Sequence, residues 1–122
     1  MIEAMKLASL LGKVWRKDAE ALKCEAMLYS ATEAGADIIG INSGRIKEGG
    51  LADLCLIDIN TPAFTPNFNF VSNLVFAANG GCVDTVICDG KIVMREKKIF
   101  GEDEIMEQAA RSAYDLVKRN IK

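Results

Sequence analysis

Histidine is missing from all 122 residues, and this absence excludes a whole group of sites. Imidazole is the side chain that most often binds catalytic zinc and that titrates near neutral pH. Without it, a zinc site would need four scattered cysteines to converge, Cys24, Cys55, Cys82 and Cys88, and no two of them have CxxC spacing. We interpret them as reduced, buried or half-buried apolar side chains, because the sequence identifies no base or cation that would activate a thiol.

Long apolar runs and an excess of one charge are also missing. No stretch approaches the roughly 20 apolar residues that span a bilayer, and the N-terminus has no signal-peptide pattern. Fifteen basic and 17 acidic residues leave a net charge of −2, without the basic cluster typical of nucleic-acid binding. Half of the residues are hydrophobic, as in a globular chain of one domain or less. We expect a cytoplasmic protein with no nucleic-acid and no membrane partner.

The N-terminal third has helical patterning. Apolar residues recur at three- and four-residue spacing from Met5 to Trp15, which predicts an amphipathic helix with a broad apolar face. Asp18 is expected to cap a second helix, and Gly40 to end the helical region. The aromatic rings of Trp15 and Tyr29 are interpreted as core or interface groups.

Strand patterns occupy the middle of the chain. Residues 54–59, LCLIDI, are apolar on both sides, which predicts a strand that is covered on both faces. Residues 82–91, CVDTVICDGK, alternate and then reach Asp89-Gly90, a pair that tolerates the positive φ angles of a type I′ turn, so a hairpin is predicted. Between these strands, both prolines lie in a long connection, and a short helix capped by Ser72 follows it.

The chain ends with a predicted amphipathic helix for which Asp103 is a plausible cap. Acidic residues come early and basic residues late, as the helix dipole favours. Its apolar stripe is Ile105, Ala109, Ala113, Leu116 and Val117. Helices, then about three strands, then a helix predict an α+β fold whose small sheet has edges that need partners.

Four aspartates are the candidates for acid–base chemistry: Asp53, Asp58, Asp84 and Asp89. Structural roles explain them better, because Asp89 belongs to a turn, Asp58 ends a strand, and Asp53 follows Gly49-Gly50, where it can bond to a turn or cap. General acid–base catalysis needs a cleft and a perturbing partner. The glycine pairs match neither GxGxxG nor a Walker pattern and are interpreted as turns. We predict no catalytic, cofactor-binding or metal-ligating residue in this chain.

The stretch SGRIKEGGLADLCLIDINTPAFTP resembles the segment that follows the barrel in metal-dependent amidohydrolases, in the branch of chlorohydrolases and methylthioadenosine/S-adenosylhomocysteine deaminases. The residues that match are Gly49, Ala52, Asp53, Leu54 and Asp58. The later stretch VSNLVFAANGGCVDTVICDGKIVM resembles the next segment of that family, through Ser72, Leu74, Val75, Ala77, Gly80, Val83, Thr85, Val86, Gly90 and Val93. The start, MIEAMKLASLLGKV, is similar to the helix after the eighth barrel strand.

This resemblance implies the C-terminal fragment of an amidohydrolase. Residues 1–43 would be helices from the end of a (β/α)8 barrel, 44–100 would be strands of a composite β-sandwich with a Pro-containing loop and a short helix, and 101–122 would be a C-terminal helix. The family's metal ligands, a His-x-His pair, two further histidines and an aspartate, would then belong to barrel strands ahead of this chain, with zinc or iron in the parent enzyme. Near Asn67 and Asn69 the chain departs from the family, where a histidine is common, and no catalytic meaning is attached to this.

Two hypotheses remain open. In the first, the chain is the structural portion of a hydrolase that acts on C–N bonds of purine- or triazine-type compounds; alone it is inactive, and it binds the remainder of the parent enzyme and further copies of itself. In the second, it is a free-standing, non-catalytic oligomerisation or binding module derived from such an enzyme. The broad apolar face of the first helix favours the first hypothesis, because a self-sufficient module has little use for it.

Overall fold

A computed structural model describes residues 1–120 as a mixed arrangement of helices and one antiparallel sheet. In chain order the elements are α1 Ile2–Arg16, α2 Cys24–Ala31, α3 Glu33–Ile39, β1 Leu54–Ile57, α4 Phe70–Phe76, β2 Val83–Cys88, β3 Lys91–Arg95, β4 Lys98–Ile99 and α5 Glu102–Asn120. Short 3-10 turns at Pro62–Phe64 and Gly80–Cys82 flank α4. The expected division at 1–43, 44–100 and 101–122 stays a prediction, and the last two residues of its third part lie outside the described residues.

The core lies around the short helix α4. On one side of it, fully buried Val75 packs with Met5 of α1 and with Cys24 and Met27 of α2. On the other side, Leu74 and Ala78 pack with Phe64 and Cys82 of the two 3-10 turns. One helix therefore joins the N-terminal helices to the entry of the sheet. Its cap is Asn69, whose side chain accepts a hydrogen bond from the Ser72 N–H at 2.9 Å, so the predicted cap at Ser72 was wrong.

Helix α1 forms where it was predicted, and the side that it buries within this chain carries its small residues. Met5 and Ser9 are the buried residues, and the Ser9 hydroxyl donates to the Leu22 carbonyl at 2.7 Å. Gly12 lies on the same side, close against the Leu22 side chain. Small residues let the segment before α2 approach the helix closely, and the large apolar side chains consequently face outward. Leu11 and Trp15 are exposed within this chain, and the expectation that the broad apolar face packs against a further surface stays a prediction.

The second helix begins later than predicted. Asp18 accepts a hydrogen bond from the Glu20 N–H at 2.8 Å and so closes a local turn instead of capping α2. Positive φ angles at Lys17 (52°) and Leu22 (48°) interrupt helical geometry, and α2 starts at Cys24. Gly40 ends α3 with a φ of 73°, as predicted.

The sheet is a meander in the order β1-β2-β3-β4, with every pair antiparallel. The predicted type I′ turn is confirmed by φ angles of 47° at Asp89 and 75° at Gly90. Strand β4 was not predicted, because two residues give no readable alternation. Strand β1 ends at Ile57, two residues earlier than expected, and Leu56 is exposed. Within the described residues the cover of β1 is only partial: Leu54 and Ile57 are half-buried, Ile57 against the cluster around Phe64, whereas Cys55 and Leu56 are exposed.

Helix α5 is the longest element and contributes nothing to the core of the described residues. It begins at Glu102, so Asp103 lies in its first turn and not at the predicted cap position. The side chains from Glu102 to Arg119 are all exposed. Searched over the described residues, no helix combines the length and the apolar character needed to cross a membrane.

Candidate functional site

The best-connected polar side chain is Asp53, just before β1. Its Oδ1 accepts a hydrogen bond from the Asp89 backbone N–H at 2.8 Å, and its Oδ2 accepts one from the Ser43 hydroxyl at 2.8 Å. These two bonds, the one from Asp89 first, hold the pKa of the Asp53 carboxyl below its usual value, because both favour the charged form. Asp53 therefore joins the loop after α3 to the β2–β3 turn, and the turn that it holds lies 36 residues away in sequence and not next to Gly49-Gly50.

Backbone bonds reinforce this junction. The Gly90 N–H donates to the Ala52 carbonyl at 3.0 Å, and the Leu51 N–H donates to the Asn42 carbonyl at 2.8 Å. Gly44 has a φ of 82°, and a Cβ there would lie 2.6 Å from the Thr32 carbonyl oxygen, so only glycine fits. The loop is thereby pressed against α3 on one side and tied to the hairpin on the other.

Arg45 anchors the same loop to α3 through charge. Its guanidinium donates to both carboxylate oxygens of Asp37, at 3.0 and 3.1 Å, and lies 3.5 Å from Glu33. Both bonds come from the single Nη2 atom of Arg45, so the contact is charge-assisted but lacks the parallel two-nitrogen geometry of a forked pair. The Asp53 and Arg45 contacts engage both carboxylate oxygens of Asp53 and of Asp37 within the chain. That this junction is structural and not catalytic stays a prediction.

The remaining candidate aspartates have local partners. Asp58 follows β1, accepts a hydrogen bond from the Asn60 N–H at 3.0 Å, and lies 3.8 Å from the Lys97 ammonium. Asp84 in β2 accepts a hydrogen bond from the Thr85 hydroxyl at 2.8 Å. These contacts lie in a turn and a strand and, for Asp58, reach Lys97 in a distant part of the chain. The expected structural role of both aspartates stays a prediction.

The cysteines divide into two classes. Cys24 and Cys82 are buried, and burial raises the pKa of both thiols. The Cys24 thiol also donates to the Glu25 carboxylate at 3.3 Å, which further disfavours a thiolate. Cys55 and Cys88 lie in strands but are exposed, so the expectation of burial was wrong for these two, because no element covers them in the described part of the chain.

The described side chains are not arranged to hold a metal ion. Within residues 1–120, no group of three or more His, Cys, Asp or Glu side chains is placed to hold a metal ion. An open cavity of about 240 Å³ lies beside the two 3-10 turns, and its described lining, which includes Thr61, Asn79 and Cys82, contains no carboxylate and no basic side chain. The residues present therefore do not fit a catalytic metal, and no chemical step is assigned to them.

The dominant surface feature is the outward side of α1, here called the outer face of α1. It consists of five large apolar residues: Leu7, Leu10, Leu11, Val14 and Trp15. Trp15 is 89% exposed and Val14 is 76% exposed, whereas Ser9 on the inward side is 0% exposed. A surface helix of a globular protein normally buries its large apolar side chains, whereas α1 turns them outward. Sequence reasoning found the breadth of this apolar face. The signal for the inward side was the pair of small residues Ser9 and Gly12, which it did not use.

Comparison with known proteins gives the family. The model of the amidohydrolase family matches residues 1–93. The chain belongs to this family.

Its relatives are deaminases. The chain is 45% identical over 120 residues to a 5-methylthioadenosine/S-adenosylhomocysteine deaminase of Dictyoglomus turgidum, covering 96% of this chain and 28% of the relative. It is 42% identical over 118 residues to a 5'-deoxyadenosine deaminase of Methanosphaera stadtmanae, covering 95% of this chain and 28% of the relative. The chain therefore spans little more than a quarter of the length of these relatives.

Solved structures agree with the fold. An adenosine deaminase from Xanthomonas campestris with bound zinc superposes on 98% of this chain and 28% of its own, with a TM-score of 0.89 and 27% identity. A zinc complex of atrazine chlorohydrolase from Arthrobacter aurescens superposes on 81% of this chain and 22% of its own, with a TM-score of 0.73 and 16% identity. At that identity the second match supports the fold alone. The mixed helix-and-sheet arrangement is thus that of one portion of the amidohydrolase structures.

Proposed function

We propose that this chain is the C-terminal structural portion of a metal-dependent aminohydrolase that acts on adenosine-type compounds. The observation that carries the proposal is the outer face of α1, because a helix with its large apolar side chains bare is incomplete without a further layer. The relatives support the substrate class through their names, which specify 5-methylthioadenosine, S-adenosylhomocysteine and 5'-deoxyadenosine. In such a reaction water replaces the purine amino group and ammonia leaves.

The residues of this chain indicate which parts of the reaction would depend on the rest of the parent enzyme. A divalent metal, zinc or iron, would be held by groups that this chain does not contain, since the chain has no histidine. When bound, such a metal supplies an activated water for attack on the carbon that bears the amino group. The contribution of this chain is to cover the barrel with α1 and to supply sheet strands held in register by the Asp53 junction. Alone, the chain is inactive.

The partners proposed are the remainder of the parent enzyme and a further copy of the protein. The small-molecule substrate binds only the longer protein, and neither nucleic acid nor membrane is a partner. The longer enzyme is placed in the cytoplasm. These proposals extend to the parent what the composition of this chain predicts.

The test compares two lengths of the same protein. The reading frame extended upstream to the length of the relatives, and the 122-residue chain, are each purified with added zinc and assayed for ammonia release from 5-methylthioadenosine, S-adenosylhomocysteine and 5'-deoxyadenosine. We expect turnover by the longer protein only. Turnover by the short chain, or an upstream sequence that encodes no barrel, would overturn the proposal and favour the free-standing module.

A substitution sharpens this test. Leu11→Asp places a charge on the outer face of α1. In the longer protein it should lower the unfolding midpoint strongly, because the carboxylate would be buried there against apolar side chains. In the 122-residue chain the same change should leave the unfolding midpoint nearly unchanged, since Leu11 is 59% exposed. Equal effects in both lengths would show that nothing covers this face.

A further inference from the structure

Helix α5 has two sharply different sides. A rotation of about 100° per residue places its apolar residues on one side. These residues are Ile105, Met106, Ala109, Ala113, Leu116 and Val117, and they are called here the α5 stripe. The opposite side carries charged residues, which include an ion pair between Arg111 and Glu107 four residues apart. The charged side is therefore suited to contact with water. The apolar α5 stripe is not suited to water, yet it is also exposed.

The order of large and small residues in the α5 stripe is nearly symmetric about its centre. Taking Arg111 as the centre, Ile105 stands at the same distance as Val117, and Ala109 at the same distance as Ala113. Large apolar residues thus lie toward both ends and alanines lie in the middle. Two such helices packed antiparallel would set each large end of one beside the large end of the other, with the alanines permitting close approach at the crossing point.

The end charges select the same arrangement. Acidic residues occupy the first turn of α5, Glu102, Asp103 and Glu104, and basic residues occupy the last turn, Lys118 and Arg119. An antiparallel pair places the acidic turn of one copy level with the basic turn of the other and opposes the two helix dipoles. A parallel pair would set acid against acid and base against base. The charge pattern is thus complementary to its own reversed copy.

We propose that α5 pairs antiparallel with α5 of a second copy of this protein, stripe against stripe, about a twofold axis level with Arg111. Such an isologous contact closes on itself and yields a dimer. This inference names the surface for the self-association in the proposed function, and it does not depend on the deaminase chemistry.

The first test uses the 122-residue chain in sedimentation velocity over a range of micromolar concentrations. We expect a monomer–dimer equilibrium, and we expect Ala109→Glu to raise its dissociation constant at least about tenfold, because it buries a charge at the crossing point. Gln108→Glu, with the same charge change on the charged side, is the matched control and should leave dimerisation nearly unchanged. Circular dichroism should show no large loss of helix content in either variant, because neither side chain is buried; Gln108→Glu loses only the hydrogen bond to Glu104 and sets two like charges four residues apart.

A companion variant separates the two apolar surfaces. Leu11→Glu alters the outer face of α1 and should leave the α5 dimer intact. A clean monomer in the unchanged protein overturns this inference together with the proposed self-association. Association that Ala109→Glu leaves intact, or that Leu11→Glu alone abolishes, overturns the α5 pairing only. Deaminase activity of the longer protein is judged independently by ammonia release.

Orientation has its own test. Glu102 and Lys118 are separated by about 24 Å along one helix, so a carbodiimide bond between a first-turn carboxylate and Lys118 can form only between copies. In an equal, exchanged mixture of unlabelled and 15N-labelled chains, about half of the cross-linked peptide pairs should join one labelled and one unlabelled peptide. Absence of this cross-link from a dimeric sample would rule out the antiparallel arrangement.

Discussion

Helices α4 and α5 show opposite relations between length and burial. Helix α4 has seven residues, yet Leu74 and Val75 are buried on it and both core clusters meet there. Helix α5 has 19 residues and a cleaner amphipathic pattern, yet its side chains are exposed from Glu102 to Arg119. A strong pattern therefore establishes that a helix forms, but not that anything in the same chain covers it.

The physical reason lies in where the stabilisation arises. A seven-residue helix is unstable in isolation and persists because its neighbours bury its apolar side. A 19-residue helix with favourable end charges and i,i+4 pairs is supported largely by its own residues. Burial of α4 is a property of the fold, whereas formation of α5 is a property of its local sequence.

The largest effect should come from the core beside α4. Phe64 is 2% exposed and stacks on Phe70 with ring centroids 5.5 Å apart. Phe64→Ala should lower the free energy of unfolding by about 3–5 kcal/mol, because it removes buried apolar surface and leaves a cavity. Urea unfolding followed by circular dichroism measures this. Phe68→Ala, at a ring that is 94% exposed, is the control, and an equal loss there would contradict the position of the core.

Replacing two helical glycines by alanine should change the free energy of unfolding in opposite directions, and by less than Phe64→Ala does. A Cβ at Gly12 in α1 would overlap the Leu22 side chain, so Gly12→Ala should destabilise the chain by about 1–3 kcal/mol. At Gly35 in α3 the nearest atom to an added Cβ is the Ser30 carbonyl oxygen at 3.4 Å, an ordinary contact. Gly35→Ala should therefore stabilise by about 0.5–1 kcal/mol through reduced backbone entropy of the unfolded chain. Thermal unfolding of both variants gives the two signs, and the same sign for both would refute the close approach at Gly12.

The smallest predicted effect depends on pH. Because the folded-state pKa of Asp53 is lowered, its contribution is fully present above the unfolded pKa of about 4 and is lost as the pH falls through the folded value. Asp53→Asn should thus lower the unfolding midpoint at pH 7, and the difference from the unchanged protein should shrink below about pH 4. Asp115→Asn, on the charged side of α5, is the control. A pH-independent difference would show that the charge on Asp53 does not matter.

Much of the fold could be predicted from sequence because its signals are local. Spacing of apolar residues located α1 and α5, the Asp89-Gly90 pair located the hairpin turn, and Gly40 located the end of α3. The misplaced caps at Asp18 and Ser72 show the limit of this approach. A capping residue favours a helix start but is not required for it, since α2 begins after Lys23 and α3 after Thr32 without a side-chain cap bond.

Contacts between segments that are distant in the chain could not be predicted from the sequence. Asp53 was assigned to a turn or cap because it follows two glycines, whereas its partners are Ser43 and the Asp89 N–H. Residues so far apart in sequence cannot be paired from the sequence alone, because the strand register that brings Asp53 close to Asp89 is set by the folded sheet. Which residues of α1 turn inward could not be predicted for the same reason, since an apolar stripe records only that some apolar surface will be covered.

By itself, the amino-acid sequence determined the elements of this protein, the absence of histidine ligands and the family resemblance, because composition, spacing and turn chemistry act over a few residues. Only the tertiary structure decided which side of α1 turns inward, that Asp53 joins a loop to a hairpin, and that two apolar faces lie bare. These features depend on which surfaces meet, and hydrophobic burial is set by the neighbours present and not by the pattern alone.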